Sequence, residues 1–195
     1  MEKQENQECG NFTQSILALP KATKIFYAIG IVVLIIGIIL AFCSEEIQLL
    51  ESVIIDAGET PVGIGGHVFV IFALLASSGV LFFFANEKNP YLSNSIKQKM
   101  KLSYLIYAIT GMLFSIATGY SERSSQLWEY YERVNSEPKW YSYSIITAPG
   151  FDKLPSIANK FENISIVFYV LTLAGIIALS YSIYSVVVNQ NDQNS

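Results

Sequence analysis

Two cysteines, one histidine and only 14% charged residues are all that 195 positions supply. Cys9 and Cys43 lie far apart and fall on opposite sides of the membrane in the topology below. No disulfide framework is therefore expected to hold the chain. His67 and two thiols are too few for a zinc or haem cage within one chain, and no metal or cofactor is expected. The net charge of −4 offers no basic surface for nucleic acid. Catalytic signatures are missing as well: there is no Gly-x-Ser-x-Gly elbow and no His-Glu-x-x-His. Gly63, Gly65 and Gly66 follow no strand and match neither phosphate-binding glycine pattern. No catalytic residue is assigned, and a non-enzyme is expected.

The missing charge is not missing evenly. A soluble domain carries about 25% charged residues. Here 12 basic and 16 acidic residues all avoid four apolar runs: 25–43, 62–85, 102–119 and 164–188. A helix needs roughly 20 apolar residues to cross about 30 Å of hydrocarbon, and a charge at mid-bilayer costs at least about 2.5 kcal/mol. The pattern predicts an all-α membrane protein, a four-helix transmembrane bundle. The apolar core of the first run exceeds the 7–15 residues typical of a signal peptide, so it reads as a retained span.

Orientation follows from lysine and arginine near the span ends. Lys21 and Lys24 flank the first run. The segment 44–61 holds Glu45, Glu46, Glu51, Asp56 and Glu59 and no base. The next connection, with Lys88, Lys97, Lys99 and Lys101, opposes only Glu87. This places a cytoplasmic N-terminal segment (1–24), the middle connection and a cytoplasmic tail (189–195) on one side, around a membrane domain spanning 25–188. Loops 44–61 and 120–163 fall on the other side. A cell or inner membrane is the expected location.

Between membrane helices, close packing depends on small residues and polar contacts. Gly111, Ser115 and Gly119 recur every fourth residue in the third run, and Ala174, Ala178 and Ser182 in the fourth. Ala73 with Ser77, and Gly30 with Gly37, add shorter stripes. These are candidate helix-packing seams, within the chain or toward another one. The group Ser180, Tyr181, Ser182, Tyr184 and Ser185 reads as an interfacial boundary.

The loop 120–163 is unusually aromatic. It holds Trp128 and Trp140 together with Tyr120, Tyr130, Tyr131, Tyr141, Tyr143, Phe151 and Phe161. The favourable Glu129–Arg133 pair and the spacing of Leu127, Tyr131 and Val134 extend the third helix to about Asn135. Pro138 stops it. Residues 140–147 alternate like an extended piece or strand, Ala148-Pro149-Gly150 makes a turn, and Ser156–Glu162 forms a short helix into the fourth span. Together these predict a small aromatic-rich extracytoplasmic cap. Trp128, Tyr131, Trp140, Tyr141 and Tyr143 are the candidate partner-binding residues, since aromatic residues are enriched at interaction hot spots. His67, at the start of the second run, is the candidate functional polar residue.

The layout is similar to that of tetraspan proteins, with a small and a large outer loop and a projecting third helix. The paired large-loop cysteines of their best-known family are absent. A non-catalytic, multi-pass membrane protein acting through protein contacts is the expected function: an accessory or assembly subunit, or a partner-recognising protein such as an immunity factor. Its partners would be membrane lipid and another membrane protein or a second copy. A homo-oligomeric channel or small transporter is the alternative, and an intramembrane enzyme or redox carrier using His67 comes third.

Overall fold

The computed structural model describes residues 18–42, 67–136, 146 and 150–191. It is helical throughout, with no strand among the described residues. The helices are α1 (Lys21–Phe42), α2 (His67–Glu87), α3 (Asn94–Ser136) and α4 (Leu154–Asn191), with a 3-10 turn at Phe151–Lys153. Each of the four is long and apolar enough to cross a membrane. The expected short helix at Ser156–Glu162 is the opening of α4, which continues unbroken. Of the expected extended piece, Ile146 is helical and the rest lies outside the described residues.

At about 1.5 Å per residue, the 43 residues of α3 span about 65 Å and the 38 of α4 about 57 Å. Both exceed the roughly 30 Å that hydrocarbon requires. The α3–α4 pair therefore extends well past α1 and α2 at one end, the distal end. The opposite end carries the α2–α3 connection and is rich in lysine.

That connection is built from its own residues. Ser93 caps α3: its Oγ accepts from the Ile96 N–H at 3.3 Å, and its carbonyl accepts from Lys97 N–H at 3.0 Å. Serine suits this position because its side chain satisfies an otherwise orphaned helical N–H. The Lys97 ammonium turns back and donates to the Glu87 carbonyl at 2.6 Å, supplying a cation where the end of α2 presents open carbonyls.

The helices pack in chain order, α1 on α2, α2 on α3 and α3 on α4, while α1 and α4 do not pack on each other to any extent. Glycines make the close approaches. Gly30 faces Phe82, Gly37 faces Leu74 and Leu75, Gly79 faces the Tyr107 ring, Gly111 faces Leu75, and Gly175 faces Thr110. The third-run stripe is thus shared: Gly111 meets α2, while Ser115 and Gly119 are buried. In the fourth-run stripe, Ser182 bonds Ser103 of α3 at 2.8 Å, but Ala174 and Ala178 are exposed, as are Ala73 and Ser77 of α2. The face α4 turns to α3 passes through Thr172, Gly175, Ser182 and Val186, one residue round from the alanines.

Hydroxyls within the apolar stretches bond their own helix. Ser77, Thr110, Ser115, Thr172 and Ser180 each donate to the carbonyl four residues earlier, at 2.7–2.9 Å. They therefore need no water. Large apolar side chains stay uncovered along every helix, including Ile25 at 56%, Val80 at 54% and Ile177 at 62%.

Candidate functional site

Among the described residues, polar groups line a cavity at each end of the α3–α4 pair.

At the distal end, α3 and the start of α4 enclose a small core of their own. Leu127, Tyr130 and Val134 from α3 meet Phe151, Leu154, Ala158 and Phe161, all buried. The chain turns into this core at Gly150, whose φ of 90° is a left-handed conformation that costs any residue with a β-carbon. Its carbonyl then accepts from Lys153 N–H at 3.1 Å. Ser124 Oγ donates to the Ala158 carbonyl at 2.8 Å, tying the two helices. Tyr131 stacks on Phe151 at 5.2 Å, and Trp128 meets Tyr131 edge-on at 6.1 Å.

Trp128 and Tyr131 are thus brought together, on the flank of this core, and both remain partly exposed. Beside Trp128 runs a groove of about 450 Å³, lined by Ser121, Ser124, Ser125, Glu129, Glu132 and Glu162. Glu129 pairs with Arg133 at 3.1 Å on the exposed surface. The groove is an acidic, hydroxyl-rich channel with one indole wall. Trp140, Tyr141 and Tyr143 lie outside the described residues. His67 is the first residue of α2.

Toward the lysine-rich end, a chain of hydrogen bonds crosses three helices. Tyr27 of α1 donates its hydroxyl hydrogen to the Asn86 side-chain oxygen Oδ1. The Asn86 amide nitrogen donates to the Tyr104 hydroxyl of α3. Tyr104 in turn donates to the Phe82 carbonyl at 3.1 Å. One turn further along α3, the Tyr107 hydroxyl bonds Ser78. This chain borders a cavity of about 230 Å³, lined by Tyr27, Phe82 and Asn86, by Met100, Ser103, Tyr104 and Tyr107, and by Leu179 and Ile183. All four helices contribute. The polar groups in its wall bond one another, so the surface left to an occupant is almost wholly apolar.

Sequence reasoning passed over this second region. Its signal was weak: Asn86 lies one residue inside the end of α2 and Tyr104 ten residues inside α3, so spacing along the chain does not set them side by side. Among the described residues, no three His, Cys, Asp or Glu side chains stand together in a manner that could hold a metal ion. No protein-family model, curated protein or solved structure matches the chain.

Proposed function

We propose that this chain is a multi-pass membrane protein that works by contact with another protein, as an accessory subunit or a partner-recognising protein rather than as a catalyst. In this reading α1 to α4 cross the bilayer, both termini and the lysine-rich end are cytoplasmic, and the distal α3–α4 pair stands outside as a small aromatic cap. The exposed apolar surface supports insertion, because soluble monomers rarely show large contiguous apolar patches, and lipid is the surrounding that such surface fits. The single observation behind the contact role is the distal end itself. α3 continues beyond the length that a bilayer requires and there builds a packed core, with Trp128, Tyr131 and the acidic groove on its flank. Tryptophan and tyrosine beside a polar rim make the composition typical of interaction hot spots. A partner with a basic, partly apolar surface suits it.

The test is purification of the tagged chain from its native membrane in mild detergent, with and without Trp128→Ala and Glu132→Lys. A stoichiometric partner that co-elutes with the parent chain and is lost from both variants supports the reading. A chain that runs alone and monomeric overturns it, together with the channel alternative.

A further inference from the structure

We infer that the 230 Å³ cavity holds a segment of an acyl chain of an anionic phospholipid, whose phosphate rests among the lysines at that end of the bundle. The inference rests on the four-span reading given above.

The shape argues first. Tyr27 of α1 and Leu179 and Ile183 of α4 line one cavity, yet α1 and α4 do not pack on each other. The cavity therefore opens sideways, between the first and last helices, toward whatever surrounds the apolar faces. Ile183, at 44% exposure, stands at that opening. In a bilayer the surroundings are hydrocarbon.

The chemistry of the wall argues second. Small-molecule sites typically run to roughly 300–1,000 Å³ and present a few convergent polar groups to fix a ligand. This cavity is smaller, and its hydroxyls and amide are already bonded: Tyr27, Asn86 and Tyr104 in one chain, Tyr107 to Ser78, and Ser103 to Ser182. No polar group is left over to read a polar ligand. A flexible hydrocarbon segment asks for none.

The charge argues third. Lys21, Lys24, Lys88, Lys97, Lys99 and Lys101 cluster at this end against the single acid Glu87, counting residues 18–27 and 86–104. Lys24 lies one turn before Tyr27, Lys88 two residues after Asn86, and Lys97 one turn before Met100. α1, α3 and the start of the α2–α3 connection thus each bring a lysine within about a turn of a lining residue. At the distal end the described charges are mixed, with Glu122, Glu129, Glu132, Asp152 and Glu162 beside Arg123, Arg133, Lys153 and Lys160, so the complementarity belongs to one end only.

The experiment uses the full chain, extracted in mild detergent, delipidated, and titrated with palmitoyl-oleoyl phosphatidylglycerol or the phosphatidylcholine of the same chains. Binding is read by native mass spectrometry. A preference of about tenfold for the anionic lipid is expected from a few lysine contacts. Lys88→Gln with Lys101→Gln should erase that preference and leave phosphatidylcholine binding unchanged. Ile183→Trp, which fills the opening, should weaken both lipids. Leu179→Phe, one turn further from the lysines, gives the same readout where Ile183→Trp fails to fold. Glycerol phosphate, a headgroup without chains, should not compete. Equal binding of the two lipids, a preference that survives the lysine variants, or binding of both lipids untouched by the filling variants, overturns the proposal. Alkaline extraction of the starting membranes separates the two levels of failure. A chain retained in the pellet but showing no lipid preference sinks the lipid site alone, whereas a chain released into the supernatant sinks the four-span reading and the site with it.

Discussion

Gly175 of α4 lies against Thr110 of α3 so closely that a β-carbon at position 175 would collide with the threonine hydroxyl and stand 3.1–3.2 Å from its Cγ2 and Cβ. Thr110 has little freedom to give way. It is buried, and its hydroxyl is held by the Ile106 carbonyl at 2.8 Å. Gly175→Ala should therefore destabilise the α3–α4 pair by about 1–3 kcal/mol, the usual cost of overpacking. Adding Thr110→Ala should recover most of the loss, since contacting residues couple. The unfolding midpoint in a denaturing detergent titration measures both, and simple additivity would show that the two side chains do not meet.

The hydrogen-bonded chain at the lysine-rich end makes a second expectation. Asn86→Leu leaves the Tyr27 hydroxyl without its acceptor and removes one of Tyr104's partners. Interhelical hydrogen bonds in membranes are worth about 0.6–2 kcal/mol, and a loss in that range is expected. Tyr27→Phe removes one link only and should cost less. The double variant should cost less than the sum of the two. The same detergent titration reads all three.

Leu127 and Arg133 should differ sharply, although both sit on the distal stretch of α3. Leu127 is fully buried in the distal core, and Leu127→Ala should cost about 2–5 kcal/mol. Arg133 pairs with Glu129, but both side chains are about 60% exposed. Arg133→Ala should cost no more than about 0.5 kcal/mol. Amide exchange over residues 124–161 distinguishes them: faster exchange is expected in the first variant and parent-like exchange in the second.

Gly150→Ala forces a β-carbon into a left-handed turn, at a cost of about 1–2 kcal/mol. The damage should stay local, quickening exchange around 150–158 while leaving the α1–α2 contacts at Gly30 and Gly37 unchanged. A uniform effect along the whole chain would contradict the separation of the distal core from the rest.

Sidedness is checked by thiol labelling in a background of Cys9→Ser and Cys43→Ser. Glu132→Cys should react with an impermeant maleimide on intact cells, and Lys99→Cys only after permeabilisation. Labelling of both from one side would overturn the proposed topology.

Much of this architecture is written in short-range patterns. Charge-free runs gave four helices, and the spacing of Leu127, Tyr131 and Val134 extended α3 to about Asn135, against an observed end at Ser136. The partners of each face were harder to read. Ala174, Ala178 and Ser182 do share a face of α4, but a four-residue period names a face without naming its neighbour. α3 covers the adjoining face, where Gly175 permits a closer approach than alanine would. The Tyr27–Asn86–Tyr104 chain escaped for a related reason. Its members are 59 and 18 residues apart, and each alone reads as an ordinary residue of a span end. Only the pairing of helices brings them together. The acidic groove was half legible: Trp128 stood out as an aromatic, whereas Glu162 joins it only because α4 doubles back along α3.

The unbroken course of α3 has a mechanical consequence. Lys101 and Trp128 ride on one rod, about 40 Å apart at 1.5 Å per residue, with no proline or glycine break between them beyond the packed Gly111 and Gly119. A rod without a hinge transmits tilt. A partner that leans the distal end by about 5° sweeps the far end through roughly 3–4 Å, from the same rise per residue. That displacement is comparable to the width of a side chain, and it falls where Met100 and Tyr104 form part of the cavity wall.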